Sequence, residues 1–231
     1  DMTDNSRKRK NGTECILCMD DSICVKVLDK LNKAGVTNLI GSSQWIQPNY
    51  INVGSSVPEY ASNEYVTYMN EVSSWWEVIA KTFPMVNKWE VLNEPNGDFI
   101  RYYDRSLETP ELKAKITTDY MYYAREGIKK GNSEAGVVLP GIAPFSIDAV
   151  KSFLNYIYDY IHSGNAPYGK QKDMNEDNYF DYLCWHVYFN EVPTIDNLFT
   201  DFNNEIYEIA KKNNDNGKPL IITEFGFPDH G

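Results

Sequence analysis

Two glutamates stand where apolar segments of the chain end, and their placement suggests acid–base or nucleophilic chemistry. Glu94 follows Asn93 near the end of WEVLNEPNG, and Glu224 lies near the end of PLIITEFG. His186 and Tyr188 close a third apolar segment, YFDYLCWHVY. A carboxylate at the buried end of a strand costs free energy unless it is paired, so its presence there favours a functional role. The ends of these three segments form the candidate site.

Side-chain alternation along a strand indicates which of these residues can meet. His186 and Tyr188 are two residues apart, so they point to one side of their strand, together with Cys184. By the same rule Glu224 shares a side with Ile222, which would fill an apolar interior below it. Glycoside hydrolysis requires two carboxylates from different strands. One donates a proton to the leaving oxygen, and the other attacks the sugar carbon or activates water.

The elements that must position these residues alternate between strand and helix. The predicted strands are 36–43, 86–93, 135–141, 179–188 and 219–226. One-sided apolar stripes at helical spacing occupy 27–34, 69–83, 116–128, 150–161 and 198–210, and we expect all of them to pack on a sheet. This order predicts parallel strands joined by crossover helices, in a small open sheet or in part of a (β/α)₈ barrel.

Composition excludes several function classes. The 231-residue chain carries a formal net charge of −11, which argues against nucleic acid as a partner. No segment approaches the roughly 20 apolar residues of a membrane span. The chain has three histidines, and Cys15 and Cys18 form a lone CxxC, so neither a metal site nor a cofactor is predicted. No signal peptide is visible in this segment, so the location stays open, with a secreted or periplasmic one among the alternatives.

The segments WEVLNEPN, WHVY and TEFG, in this order, resemble the glycoside hydrolases of clan A. The resemblance implies an α/β fold, the (β/α)₈ TIM barrel, of which this chain would hold about strands three to seven. It also implies that Glu94 is the general acid/base, that Glu224 is the nucleophile and that Asn93 binds the sugar 2-hydroxyl. His186 and Tyr188 are expected beside the nucleophile.

Within the clan, WEVLNEPNG followed by YMYYAREGIKKGNSEAGVVLPG looks most like family 39, which includes xylosidases, with family 5 as the alternative. The implied activity is retaining, xylosidase-like cleavage of β-glycosidic bonds in plant-type oligo- or polysaccharides by double displacement. Trp45, which follows the predicted strand 36–43, is expected to offer its ring to a sugar.

The resemblance also sets expectations about completeness. Residues 1–22 are predicted to be an irregular segment and 23–231 a partial catalytic barrel, truncated at both ends. The activity could therefore require barrel segments that are missing here. The alternative is a non-catalytic sugar-binding or structural module derived from a degraded barrel. Carbohydrate is the expected partner in both cases, and the oligomeric state stays open.

Overall fold

The computed structural model describes residues 21–43, 56–97, 102, 104–188 and 195–226, and its elements follow the predicted order. The helices are α1 (Asp21–Lys33), α2 (Asn63–Thr82), α3 (Pro110–Gly131), α4 (Ile147–His162) and α5 (Ile195–Lys212). The strands are β1 (Ile40–Ser42), β2 (Lys88–Glu90), β3 (Gly136–Val138), β4 (Leu183–Cys184), β5 (Val187–Tyr188), β6 (Leu220–Ile221) and β7 (Phe225–Gly226). Each predicted strand or helical stripe overlaps one or two of these elements.

The strands form one series of parallel neighbours. β1, β2 and β3 pair in that order, β4 pairs with β6, and β5 pairs with β7. A bridge between Val138 and Tyr182 joins β3 to the strand that follows. The α/β architecture with parallel strands is thereby confirmed. The described residues do not form a closed barrel, and β4–β5 and β6–β7 are each one predicted strand interrupted in the middle.

The helices begin at side-chain caps that the sequence supplies. Ser62, Thr109 and Ser146 each accept a hydrogen bond from the backbone N–H three residues further on, which satisfies a donor that the first helical turn leaves free. α2 and α3 then pack closely. A Cβ at Gly127 would lie 2.0 Å from the Ser73 carbonyl oxygen, so only glycine permits this approach.

The side chains of the fourth predicted strand face the two directions that alternation predicts. The Trp185 ring stacks on Phe202 of α5 at 4.7 Å between centroids, and its Nε1–H donates to Asn203. The Cys184 thiol points the other way and lies 3.2 Å from the Thr223 hydroxyl. His186 and Cys184 therefore share the side away from the helices.

The apolar stripe of α1 is packed only in part, since Leu28 packs against the core while Val27 does not. Val27 is 49% exposed, and Ile40 on the neighbouring strand β1 is 43% exposed. β1 pairs only with β2 within the described residues, so nothing described there covers these apolar groups. None of the described helices has the combination of length and apolar character needed to cross a membrane.

A buried carboxylate on α3 ties three segments together. Asp119 is fully buried and accepts hydrogen bonds from the Tyr65 hydroxyl at 2.8 Å, the Tyr160 hydroxyl at 3.2 Å and the Tyr168 backbone N–H at 2.9 Å. Burial raises the pKa of Asp119 to about 6, although its three donors act in the opposite direction. Ionisation of Asp119 therefore destabilises the folded state near neutral pH.

Replacing Asp119 with Asn should remove this cost and change how stability depends on pH. The pKa of Asp119 rises from 3.8 to about 6 on folding, so the folded protein binds this proton more tightly than the unfolded chain. The cost of ionisation is absent below about pH 4 and grows through about pH 6, to about 3 kcal/mol. We expect the stability of the wild type relative to Asp119→Asn to fall from pH 4 to pH 7 in urea unfolding.

The surface variant Asp29→Asn is the control for this measurement. Asp29 pairs with Lys33 on the exposed face of α1, so its removal should not reproduce the change. A stability difference between wild type and Asp119→Asn that stays constant over this pH range would contradict the prediction.

Candidate active site

The buried ring of His186 lies at the centre of the candidate site. Its side chain is 0% exposed, and Nδ1 lies 3.0 Å from Oε1 of Glu94. Nε2 lies 3.2 Å from Oε1 of Glu90 and 3.2 Å from the Thr223 hydroxyl. Glu224 approaches the same Nδ1, with its Oε2 at 3.7 Å. The structure therefore brings together His186, Glu94 and Glu224 from three separate predicted strands.

Glu94 is positioned by a turn that follows strand β2. Its backbone N–H donates to the Gly141 carbonyl at 3.0 Å, and its own carbonyl accepts from the Gly97 N–H at 2.9 Å. The backbone of Glu94 has φ of 42°, in the left-handed region, which costs a non-glycine residue about 1 to 3 kcal/mol. The motif Asn93-Glu94-Pro95 thus ends the strand and rotates the Glu94 carboxylate onto His186.

Glu224 is positioned from the other side of His186. Its backbone carbonyl accepts from the Val187 N–H at 3.0 Å, next to the β5–β7 pair. The Tyr188 hydroxyl donates to Oε2 of Glu224 at 2.7 Å. This hydrogen bond, together with burial and the carboxylate charge, raises the pKa of Tyr188 to about 12. The phenol therefore stays protonated and serves as a donor to Glu224.

The electrostatics of the site centre on the imidazole. Burial disfavours the charged form of His186, but hydrogen bonds to Glu90 and Glu94 and the negative charges of Glu90 and Glu224 favour it. The net effect is a pKa of His186 above its ordinary value. A protonated imidazole can donate from both ring nitrogens, which suits a ring that has a carboxylate on each side.

Of two further predicted site residues, the structure describes Asn93 but not Trp45. Asn93 is buried beside Glu94, and its Oδ1 makes no hydrogen bond within the described part of the chain. Its role toward a sugar hydroxyl stays a prediction. Trp45 lies outside the described residues, and so does nearly all of the predicted segment 1–22, since α1 begins at Asp21.

Sequence reasoning missed three residues that touch His186. Glu90 lies four residues before Glu94 in the same apolar segment, and alternation alone could have placed both on one face. A Cβ at Gly141 would lie 2.0 Å from Nε2 of His186, so the ring fits only because this residue is glycine. Regular alternation would have pointed Thr223 away from Glu224. Residues 222–224 interrupt the strand, however, and both side chains reach the site.

The same cluster offers ligands of the kinds that divalent metals bind. Glu94, His186 and Glu224 each contribute one atom, and these three atoms lie within 4.8 Å of one another. A nitrogen and two carboxylate oxygens would suit zinc. The 3.0 Å contact between His186 and Glu94 is equally a direct hydrogen bond, so the cluster is compatible with a metal without requiring one.

Comparison with known proteins identifies the fold. The chain is similar to the structure of a glucosidase from Croceicoccus marinus, with a TM-score of 0.54 and 14% identity over 88% of this chain and 38% of that one. It is also similar to a β-glucosidase from Thermotoga maritima (TM-score 0.53, 16% identity, 93% and 59%). A third similar structure is Cel44A, a family 44 endoglucanase from Clostridium thermocellum (TM-score 0.50, 14% identity, 88% and 54%).

These similarities concern the fold alone. No family model and no curated protein sequence matches the chain. The chain spans between 38% and 59% of the length of the three structures named. It therefore shares the fold of part of a TIM-barrel glycosidase, while the family 39 and family 5 resemblances stay predictions.

Replacing Gly141 with Ala should disturb the site and the core beneath it together. The added Cβ would lie 2.0 Å from Nε2 of His186 and 2.7 Å from Oε1 of Glu90, so the imidazole must move. We expect a loss of about 1 to 3 kcal/mol in the free energy of unfolding, as for other overpacked sites. Urea unfolding gives the stability, and the His186 ring signals in NMR report the displacement.

Gly217→Ala is a matched control, because nothing lies within 4 Å of a Cβ at that position. It should leave both stability and the His186 signals close to wild type. The geometry of the site would be wrong if Gly141→Ala behaved in the same way.

Proposed function

We propose that the chain is part of a retaining glycoside hydrolase that cleaves β-glycosidic bonds by double displacement. One observation carries the proposal. Carboxylate oxygens of Glu94 and Glu224, which come from different strands, lie within 4.8 Å of each other, and both approach Nδ1 of His186. Retaining enzymes hold the two carboxyl groups about 5 to 5.5 Å apart, and inverting enzymes about 6.5 to 9.5 Å apart. The separation favours retention.

The surroundings of the two glutamates support distinct roles. Glu224 is 40% exposed and accepts the Tyr188 hydroxyl, which orients its carboxylate for attack on the sugar carbon. Glu94 is 19% exposed and sits in the strained turn, where it can hold a proton for the leaving oxygen. After that proton has left, Glu94 can accept one from water and so release the sugar from Glu224.

The substrate class follows from the sequence resemblance. We propose that plant-type oligo- or polysaccharides are cleaved in a xylosidase-like manner, with Asn93 binding the sugar 2-hydroxyl and Trp45 stacking on a ring. The glycosidases with similar folds support a carbohydrate substrate. Because the chain spans only part of their length, the remaining substrate contacts are proposed to come from segments outside this chain, as expected for a partial barrel in 23–231.

Substitution of each glutamate should separate their roles in the natural full-length protein. Glu224→Ala should lose activity on every glycoside, because no covalent intermediate can form, and azide should restore part of the rate by attacking the sugar from the vacated space. Glu94→Ala should still form the glycosyl-enzyme from an aryl glycoside with a good leaving group. On natural glycosides it should be about 10² to 10⁴ times slower, the usual contribution of a general acid.

Steady-state and single-turnover kinetics on a panel of aryl glycosides, with product stereochemistry followed by NMR, test these outcomes. Glu208→Ala is the control, since Glu208 is an exposed glutamate that pairs with Lys211 at the surface of α5. If azide restored the activity of Glu94→Ala and gave a product of inverted configuration, Glu94 would be the nucleophile and Glu224 the acid/base. Sugar binding without turnover in the wild type would favour the non-catalytic module, and loss of turnover in EDTA would favour a metal at the Glu94–His186–Glu224 cluster.

A further inference from the structure

Phe145 presents an aromatic ring to solvent in the segment that connects the candidate site to α4. Its side chain is 70% exposed, and it lies between Gly141, whose carbonyl accepts the Glu94 N–H, and Ile147, the first residue of α4. Most of the apolar area of this ring stays in water, so the ring adds little to the stability of the core. Single exposed apolar side chains are common, so only the position of this one can assign it a role.

The Phe145 ring stands beside the turn that orients Glu94. A Cβ built on Gly97 would lie 3.5 Å from Cζ of Phe145 and 3.3 Å from the Glu94 carbonyl oxygen. The Gly97 N–H donates to that same carbonyl at 2.9 Å. The edge of the ring and the backbone of Glu94 therefore border one residue, Gly97, which has no side chain to separate them.

Hydrogen bonds fix the segment that carries Phe145 to this turn. The Asn96 side chain donates to the Ala143 carbonyl at 3.0 Å and accepts the Ala143 N–H at 2.8 Å. The Phe145 N–H donates to the same Ala143 carbonyl at 3.0 Å, and Nζ of Lys113 donates to the Gly97 carbonyl at 2.7 Å. The backbone on both sides of the contact is thus held, so the ring keeps a defined place next to the Glu94 turn.

An exposed ring at this place suits one part of a glycoside substrate. Aromatic side chains offer a flat apolar face, on which the C–H face of a sugar ring can pack. The sugar on the leaving side of the scissile bond is attached through the oxygen that a general acid protonates. With Glu94 as the acid, the first sugar ring on that side lies next to the Glu94 turn, and so next to Phe145.

We propose that Phe145 is a substrate-binding residue on which the first sugar ring of the leaving group stacks. The assignment to the leaving side rests on the proposed function, because it takes Glu94 as the acid. The leaving sugar keeps its ring unchanged while the bond to it breaks, so the stacking stabilises the bound substrate and the transition state alike. Interactions of this kind act on KM and leave kcat nearly unchanged.

Kinetics of Phe145→Leu in the natural full-length protein test the proposal on two kinds of substrate. Cellobiose and xylobiose have a sugar as leaving group, whereas glucosyl and xylosyl fluoride have no ring on that side. Leucine keeps an apolar side chain without the flat face. We expect the KM for the disaccharide to rise about 10-fold, as for loss of part of the burial of an aromatic ring. The kinetics on the matching fluoride should stay close to wild type.

Two further variants control for effects on the fold. Phe145→Trp restores a flat aromatic face and should keep the KM for the disaccharide close to wild type. Tyr207→Ala removes another exposed aromatic side chain, on α5, and should change neither substrate. An equal loss on disaccharide and fluoride in Phe145→Leu would overturn the proposal, and so would a KM for the disaccharide that does not change.

NMR of the full-length protein with ¹³C-labelled phenylalanine tests the stacking itself, without turnover. The Phe145 ring signal is identified by its absence in Phe145→Leu. In Glu224→Ala, which should leave the sugars intact, cellobiose or xylobiose should shift this signal, because a stacked sugar changes the surroundings of the ring. A Phe145 signal that neither sugar shifts would overturn the proposal.

These two experiments separate the inference from the proposed function. A wild type that cleaves neither disaccharides nor fluorides would count against the proposed function, and the NMR experiment would still decide whether Phe145 binds a sugar ring. A wild type that cleaves both, while Phe145→Leu has the same kinetics, would refute the inference alone.

Discussion

The pairing of one buried imidazole with carboxylates from different strands is the interaction on which the rest of the site depends. His186 has no access to water, so the protein must supply a partner for each ring nitrogen. Those partners, Glu90 and Glu94 on one strand and Thr223 on another, meet only if neighbouring strands run parallel and in register. The hydrogen bonds of this one ring therefore depend on how the strands around it pair.

Gly141, which follows strand β3, shows how closely the backbone approaches the His186 ring. Gly141 pairs with the Asn93 backbone, accepts the Glu94 N–H and donates to the Glu90 side chain, so a single residue contacts three residues of the neighbouring segment. The same glycine leaves the space that His186 fills. Packing and hydrogen bonding are therefore not separable here, because the residue that makes room for the ring also orders its carboxylate partners.

The sequence predicted the residues at the ends of strands better than those within them. Glu94, His186 and Glu224 were found because polar groups that end apolar segments stand out, and the structure brings them together. Thr223 was missed because the interruption at 222–224 arises from tertiary pairing with neighbouring strands, which no local pattern encodes. The stripe of α1 shows a second limit, since periodicity marks an apolar face without showing how much of it is covered, and Val27 stays exposed while Leu28 packs.

The interruptions in the strands explain how so many groups converge on one ring. In a regular strand only every second side chain points to a given face, so Thr223 and Glu224 could not both approach His186. The left-handed backbone of Glu94 acts in the same way after β2, where it turns a carboxylate toward a ring that Glu90 already contacts from below. Among these points the left-handed backbone of Glu94 is the strained one, and it costs stability there. This strain lies beside the imidazole and its carboxylates, as expected if it persists because it orients a carboxylate that the proposed chemistry uses.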